Sequence, residues 1–386
     1  MTSTATQGPR SRRQRWAPAA VVGILAWALA ACAGGSSSLA TTVASTAGSG
    51  TSPSSTSPVG SAPEATGPPP VTGRIAFRRF LDPSETNGAL FTSATDGSGE
   101  EQITDPPAAA VDDFPDWSPD GTRLLFTRDV AAGTDHESHR LYTVSSNGGI
   151  LTPLSPDAAA HGDVVEGFDD NGVFSPDGTR IAFINARGQV AQGGTHGLPV
   201  GSDQLEFSSV VVMDADGGNR NEVTHDAAFT GDLGGVAWSP DGKQLVYSRW
   251  NSGAANPPKG RALFIIDVDG RNQRQLTPWD IGASGTPDWS AATDLIVFRK
   301  VADEEAGVGN FFTIRPDGTA LTQITDFTET VISHKVGFST DGLWVVFAKT
   351  ATNGRNDVFI ANTDGSRLQQ VTNAAQADSS PDWSSQ

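Results

Sequence analysis

Two Asp-Asp pairs are the first residues in this 386-residue chain that could do chemistry. Asp112-Asp113 ends four residues before Trp117, and Asp169-Asp170 ends four residues before Phe174. His334 stands at the same offset before Phe338; Gly234, Gly285 and Ser379 hold it before Trp238, Trp289 and Trp383. Asp232, Phe114 and Phe168 lie beside these positions. Hard carboxylate oxygens gathered at one mouth could hold Ca²⁺ or Mg²⁺. The competing reading is solvated acids in a chain whose formal net charge is -18.

Weaker candidates have plainer explanations. Asp214-Ala215-Asp216-Gly217 and Asp267-Val268-Asp269-Gly270 look like openings of calcium loops, but neither has Glu at the twelfth position, and turn formation explains both. His136, His139 and His161 stand near Asp135, Glu137 and Asp163 without the spacing of a helical zinc pair. A nucleic-acid binder needs a basic footprint, and an acidic chain of this kind lacks one.

The only cysteine, Cys32, points to membrane chemistry. Arg10, Arg12, Arg13 and Arg15 precede an apolar run from Ala19 to Ala31 that ends in Leu29-Ala30-Ala31-Cys32. About 13 residues cannot span a bilayer core of about 30 Å, but suit the core of a signal peptide. The segment resembles a bacterial lipobox, which implies that residues 1–31 are a signal peptide and that Cys32 carries the lipid. An ordinary signal peptide with a cysteine nearby is the alternative. From Ala33 to about Thr72 the chain is almost entirely Ser, Thr, Gly, Pro and Ala, with Glu64 as its one charge. Such a composition reads as a disordered tether.

The elements that must position the acids come from a repeat. Trp117-Ser118-Pro119-Asp120-Gly121 recurs as Phe174-Ser175-Pro176-Asp177-Gly178 and Trp238-Ser239-Pro240-Asp241-Gly242, with weaker copies at Trp289, Phe338 and Trp383. Successive aromatics are 57, 64, 51, 49 and 45 residues apart. Alternating with them are turns at Asp96-Gly97, Asn147-Gly148, Asp216-Gly217, Asp269-Gly270, Asp317-Gly318 and Asp364-Gly365, each followed by a short strand ending near Leu/Ile/Val-Thr. Gly tolerates positive φ and Pro presets its own, so both motifs are tight-turn chemistry between short strands.

Each repeat therefore reads as four strands, a to d, with the aromatic on strand a. Strand b is a run such as Arg123 to Arg128, strand c one such as Ser209 to Met213, and strand d one such as Gln275 to Thr277. The final repeat has only a strand a, around Trp383, while Gly73-Arg74-Ile75-Ala76-Phe77 opens the domain as a strand b. Pairing the two closes a ring of six four-stranded blades, a β-propeller over residues 73–386, and closure removes an exposed edge.

These repeats resemble the WD40-like PD40 repeats of TolB-like propellers. That family carries an α/β domain ahead of its propeller; here the tether stands in that place. Along the strands, a–b and c–d turns share one face. The longer b–c connections (130–139, 186–208, 251–261, 301–309, 351–356) share the other with the d–a connections, and variable loops on a rigid scaffold are where binding concentrates. The expected role is an extracytoplasmic binding module, lipid-anchored to the cell membrane or to the periplasmic side of the envelope. Asp112, Asp113, Asp169, Asp170 and His334 would line its loop face and meet a protein or glycan of the envelope. The alternative is an enzyme, a polysaccharide-fragment lyase or a hydrolase, with a loop-face site; the chain contains no Gly-x-Ser-x-Gly elbow. Replacing Cys32→Ala should move the protein from the membrane to the soluble fraction with its fold intact, and equal membrane retention on cell fractionation would refute the lipid anchor.

Overall fold

The computed structural model describes residues 72–130, 138–155, 168–188, 205–224, 233–251, 260–303, 308–329, 331 and 333–384. The expected signal peptide, Cys32 and the tether lie outside these residues, as do Asp135, His136, Glu137, His161, Asp163 and Asp232. The structure is all-β: among the described residues, twenty-four strands are accompanied by one short 3-10 turn. No helix among them is long and apolar enough to cross a membrane.

In chain order, β1 (Arg74–Phe80), β2 (Gly88–Ala94) and β3 (Glu101–Gln102) pair antiparallel. The pattern repeats as β4 (Ala110–Trp117), β5 (Arg123–Val130), β6 (Ser138–Ser145) and β7 (Thr152–Pro153). Next come β8 (Phe168–Phe174), β9 (Arg180–Gly188), β10 (Leu205–Asp214) and β11 (Asn221–Glu222). The fourth unit is β12 (Leu233–Trp238), β13 (Gln244–Asn251), β14 (Gly260–Asp267) and β15 (Arg274–Gln275). The fifth is β16 (Ala283–Trp289), β17 (Ile296–Asp303), β18 (Val308–Ile314) and β19 (Thr322–Gln323). The sixth is β20 (Val336–Phe338), β21 (Trp344–Thr350), β22 (Asn356–Asn362) and β23 (Gln369–Gln370). The last strand, β24 (Asp378–Trp383), pairs antiparallel with β1, placing Trp383 opposite Ile75. β24 thus stands at the edge of the sheet that contains β1 to β3.

Both repeated motifs are local hydrogen-bond devices. The Ser118 hydroxyl donates to Asp120 (2.6 Å) and accepts from the Arg123 N–H (2.9 Å), while the Gly121 N–H closes the turn on the Ser118 carbonyl. Ser175, Ser239 and Ser339 repeat the arrangement with Asp177, Asp241 and Asp341. Gly121 sits at φ 67°, where a side chain is unfavourable. The hydroxyl after strand d has an equally regular task. Thr104, Ser155, Thr224, Thr277, Thr325 and Thr372 each accept an N–H from strand c, from Leu90, Leu141, Val210, Leu263, Phe311 and Val358, at 2.9 to 3.0 Å. One short side chain in each unit fixes the c–d register.

The apolar core lies between consecutive units rather than inside any one. Ala76, Leu90, Trp117, Leu124 and Phe126 share one cluster across the first two units. Similar clusters join the second to the third, the third to the fourth, the fourth to the fifth and the fifth to the sixth. A further cluster brings Trp344, Val346, Val358 and Ile360 of the sixth unit against Ile75, Phe77 and Trp383 of the first. Because each sheet is covered on both faces, inner strands read as unbroken apolar runs such as Leu245-Val246-Tyr247.

Strands b and c run further than the sequence suggests. β5 extends through Asp129 and Val130 and β6 begins at Ser138, with Asp129 opposite His139; β9 and β10 likewise extend to Gly188 and Leu205. In these extensions the backbone groups complete their hydrogen bonds across the hairpin. The first two units are also linked by one parallel contact, Gly88 to Val111. Trp383 is 6% exposed within the cluster that joins the sixth unit to the first, so Trp383→Ala should cost about 3–5 kcal/mol in urea unfolding. A loss below about 1 kcal/mol would show that the last strand is not integral to the core.

Candidate functional site

Neighbouring residues on a strand point to opposite faces, and this separates the two acids of each Asp-Asp pair. Asp112 turns to strand b of its own unit, where it lies opposite Arg128. Arg128 grips it with two hydrogen bonds, Nε to Oδ1 at 2.6 Å and Nη2 to Oδ2 at 2.7 Å. Asp169 is opposite Asn185 and accepts from its amide (2.8 Å), from Arg220 (2.7 Å) and from the Ser155 hydroxyl (2.7 Å). Asp378 is held the same way by Arg79, at 2.7 and 2.9 Å. Burial pushes the Asp112 carboxyl up from its ordinary value, against the pull of Arg128.

The second acid turns to strand b of the preceding unit. Asp113 forms an ion pair with Arg78, which also donates to Ser379. Asp170 accepts from the Thr127 hydroxyl (2.9 Å) and lies 3.6 Å from His139 Nδ1, which is 2.9 Å from Asp129. Burial opposes ionisation of Asp170, but His139, Thr127 and the Asn171 N–H outweigh it and hold its carboxyl below the ordinary range. Burial dominates at Asp129, whose carboxyl is pushed up. In the fourth unit the Ser248 hydroxyl reaches the Gly285 carbonyl of the fifth (2.9 Å). Gly285 sits at φ 79°, and a Cβ there would lie 2.6 Å from the His334 carbonyl oxygen.

The residues selected from sequence thus fall in one layer of strand a, but not as solvated carboxylates. Asp112, Asp113, Asp169 and Asp170 are all buried, with Asp112 and Asp170 at 0% and 1% exposure. The groups that hold them come from strand b (Arg78, Arg128, Thr127, Asn185), from strand c (His139) and from residues flanking strand d (Ser155, Arg220). A β-bulge in strand a aims them: the pairing shifts register between Asp113 and Asp116, and again between Asp170 and Val173, with Phe114 and Asn171 at φ 51° and 53°. Among the described residues, no group of three or more His, Cys, Asp or Glu could hold a metal ion. His334 differs from the acids in remaining exposed. Desolvation by the protein packed around it, then the Arg299 charge, lower its imidazole from the ordinary value.

A second layer was missed from sequence altogether. The acid just before the strand-a aromatic reaches the backbone of the next unit. Asp382 accepts from the Trp117 N–H (2.9 Å), Asp116 from the Phe174 N–H (2.8 Å), and Asp288 from the Phe338 N–H (2.7 Å). Buried Lys335 lies 3.3 Å from Asp116 and 3.2 Å from Asp382, and donates to the Pro115 carbonyl. These groups line a cavity of about 150 Å³ with Trp238, Trp289 and Asp288. Burial pushes Asp116 up to about 7 despite Lys335, and raises Asp288 as well. The ammonium stays charged, because Asp382 and Asp116 outweigh its own burial.

No protein-family model matches the chain. It is 21% identical over 272 residues to dipeptidyl-peptidase 5 of Porphyromonas gingivalis, covering 70% of this chain and 35% of that one. An uncharacterized protein of Agrobacterium fabrum is 25% identical over 214 residues, 55% of this chain and 57% of its own. The Tol-Pal system protein TolB of Rickettsia akari is 40% identical over 55 residues, 14% of this chain and 12% of its own. The chain therefore spans little more than half, at most, of these curated relatives. Among solved structures, TolB from Acinetobacter baumannii superposes with a TM-score of 0.56 at 17% identity, covering 81% of this chain and 66% of that one. A putative TolB from Agrobacterium tumefaciens gives 0.51 at 18% identity, covering 79% and 90%.

The pH dependence of Asp116 follows from its position. With a folded value near 7 and an ordinary value of 3.8, it binds more protons folded than unfolded between those limits. Its contribution to stability is full below about 4 and is lost as the pH rises through about 7. Asp116→Asn keeps an acceptor for the Phe174 N–H and removes the titration. The stability difference, variant minus parent, should therefore grow by on the order of 2 kcal/mol between pH 4 and pH 7.5. Denaturant melts across that range give the difference directly, and a flat one would refute the assignment.

Proposed function

We propose that this β-propeller, similar in fold to solved TolB structures, serves as a docking module of the cell envelope, with six four-stranded blades closed by β24 on β1. On this reading a signal peptide over residues 1–31 and a lipid on Cys32 tether it outside the cytoplasm through the segment 32–72. Its partner is an envelope protein or glycan that meets the end of the propeller carrying the b–c and d–a connections. The pairing of Trp383 with Ile75, and the cluster joining the sixth unit to the first, support the closure.

One observation carries the docking reading. The carboxylates that lie nearest the axis, and that an acid–base or metal-dependent enzyme would use, are buried and held by Arg78, Arg128, Arg220, Thr127 and Asn185. They serve cohesion between strands and between blades. What distinguishes one end of the propeller from the other is then the length of its connections. The connection from β9 to β10 takes 16 residues, between Gly188 and Leu205, whereas four of the a–b turns repeat one four-residue device. A rigid scaffold with length variation at one end is how binding surfaces are built on such folds.

An enzyme remains the second reading because a dipeptidyl peptidase is among the relatives, although the match covers 35% of that protein. Fold likeness alone does not carry catalysis across. The test is site-directed photo-crosslinking in cells. Probes at Leu81 and Val130, exposed at the loop end, should capture an envelope partner; probes at Ile150 and Leu343, exposed at the turn end, should not. Capture from the turn end alone would overturn the choice of face.

A further inference from the structure

The layer of strand a nearest the a–b turns repeats two devices, and both are interrupted at the same place. The residue before the strand-a aromatic is Asp382, Asp116, Val173, Ala237, Asp288 and Gly337 in blades one to six. Each of the three acids accepts the N–H of the next blade's aromatic residue. Asp116 and Asp382 in addition share the Lys335 ammonium. Asp288 accepts the N–H groups of Trp289 and Phe338, both at 2.7 Å, and among the described residues no cation is in contact with it. A carboxylate can accept about four hydrogen bonds, so two backbone donors leave Asp288 half served.

The second device is a guanidinium over the aromatic ring. Arg123, five residues after Ser118, lies over the Phe174 ring of the next blade at 5.3 Å. Arg180, five residues after Ser175, lies over Trp238 at 4.6 Å. The same place after Ser239 is Gln244, whose amide is bound to Asp267 (2.7 Å), and among the described residues no cation lies over Trp289. Trp289 and Asp288 are consecutive, and both line the cavity of about 150 Å³. Its wall also carries Asp116, Asp382 and Lys335, so three carboxylates face one ammonium. Val173 and Ala237 stand in that wall where the repeat elsewhere places an aspartate, which leaves the volume open. At about 30 Å³ per water in the liquid, the cavity has the room of about five waters.

We propose that this cavity binds a guanidinium group, stacked on the Trp289 ring and hydrogen-bonded to the Asp288 carboxylate. The group is small enough for the volume. Its flat face suits an indole and its N–H fork suits a carboxylate. One ligand thus supplies both the counter-charge that Asp288 lacks and the stacked cation that Trp289 lacks. An ammonium would bring the charge without the planar fork. Lys335 does not fill the role, because its three donors are taken by Asp116, Asp382 and the Pro115 carbonyl. Pro176 of an a–b turn is in the cavity wall, so the site lies toward the end opposite the proposed docking face and does not rest on that choice of face.

Titration calorimetry on the full chain in detergent, at fixed ionic strength, tests this with methylguanidinium as the probe. Methylguanidinium should bind saturably, methylammonium should bind more weakly, and urea, a neutral planar relative, should not bind. Asp288→Asn keeps an acceptor for the Phe338 N–H and removes the charge, and should weaken methylguanidinium about tenfold, the effect of one charge-assisted hydrogen bond. Gln244→Arg should also weaken it, because the chain then supplies its own guanidinium over Trp289. Gln244 is partly exposed, so this variant keeps the test decisive if Asp288→Asn folds poorly. Lys243→Gln, at an exposed a–b turn, should leave binding unchanged. A blocked arginine dipeptide that binds more tightly than methylguanidinium would assign the group to a partner's side chain, and one that binds more weakly to a free small guanidine. Absence of saturable methylguanidinium binding, urea or methylammonium binding as tightly, or binding unchanged in both variants would overturn the proposal.

Discussion

One buried ammonium, on Lys335, sits between carboxylates that belong to two other blades, and the contacts between strand-a layers depend on it. Asp116 and Asp382 flank Lys335, and each also accepts the N–H of the next blade's aromatic residue. Gathering such carboxylates in a cavity of about 150 Å³ would drive them to protonate in the absence of a counter-charge. A buried charge pair gains little over apolar packing, but removing one partner strands the other at a cost of about 3–5 kcal/mol. Lys335 is therefore less a source of net stability than a condition under which the acid-to-backbone latches can exist.

The same division of labour runs through the loop-side layer. Strand alternation sends the first acid of each pair to its own strand b and the second to the preceding blade, so one dipeptide stitches both within and between blades. The acidity of the chain consequently has two components. Acids of the Pro-Asp-Gly turns, such as Asp120 and Asp177, are exposed and held near 2 by the Ser hydroxyl and the turn N–H groups. Acids near the axis are buried and matched. The inner carboxylates of the loop-side layer are thus already matched within the framework by arginine, amide and hydroxyl donors.

Most of the fold is legible in the sequence because its signals are local. Ser-Pro-Asp-Gly is a turn whose hydrogen bonds span five residues, and the Thr after strand d meets strand c fourteen residues away. The place of Asp113, Asp170 and His334 in one layer follows from their offset to the aromatic. Their environment does not follow, because the groups that determine it are distant: Arg78 and Ser379 are 301 residues apart, and Lys335 and Asp116 are 219 apart. The strand-a bulge is equally hidden, since Phe114 and Asn171 carry no sequence signal for positive φ comparable to that of Gly. Acids that look solvated in a list of residues are buried once the opposing strands are in place.

The most direct measurement of the central claim is amide hydrogen exchange across the three latched positions in the parent and in Lys335→Met. If the axial ammonium sustains the latches, the N–H groups of Trp117, Phe174 and Phe338, which lie in three different blades, should lose protection together. The Leu263 N–H, held by Thr277 away from the axis, should keep its protection. Unchanged protection at all three latched amides in the variant would contradict the account, and would mean that the carboxylates hold the neighbouring strands without Lys335.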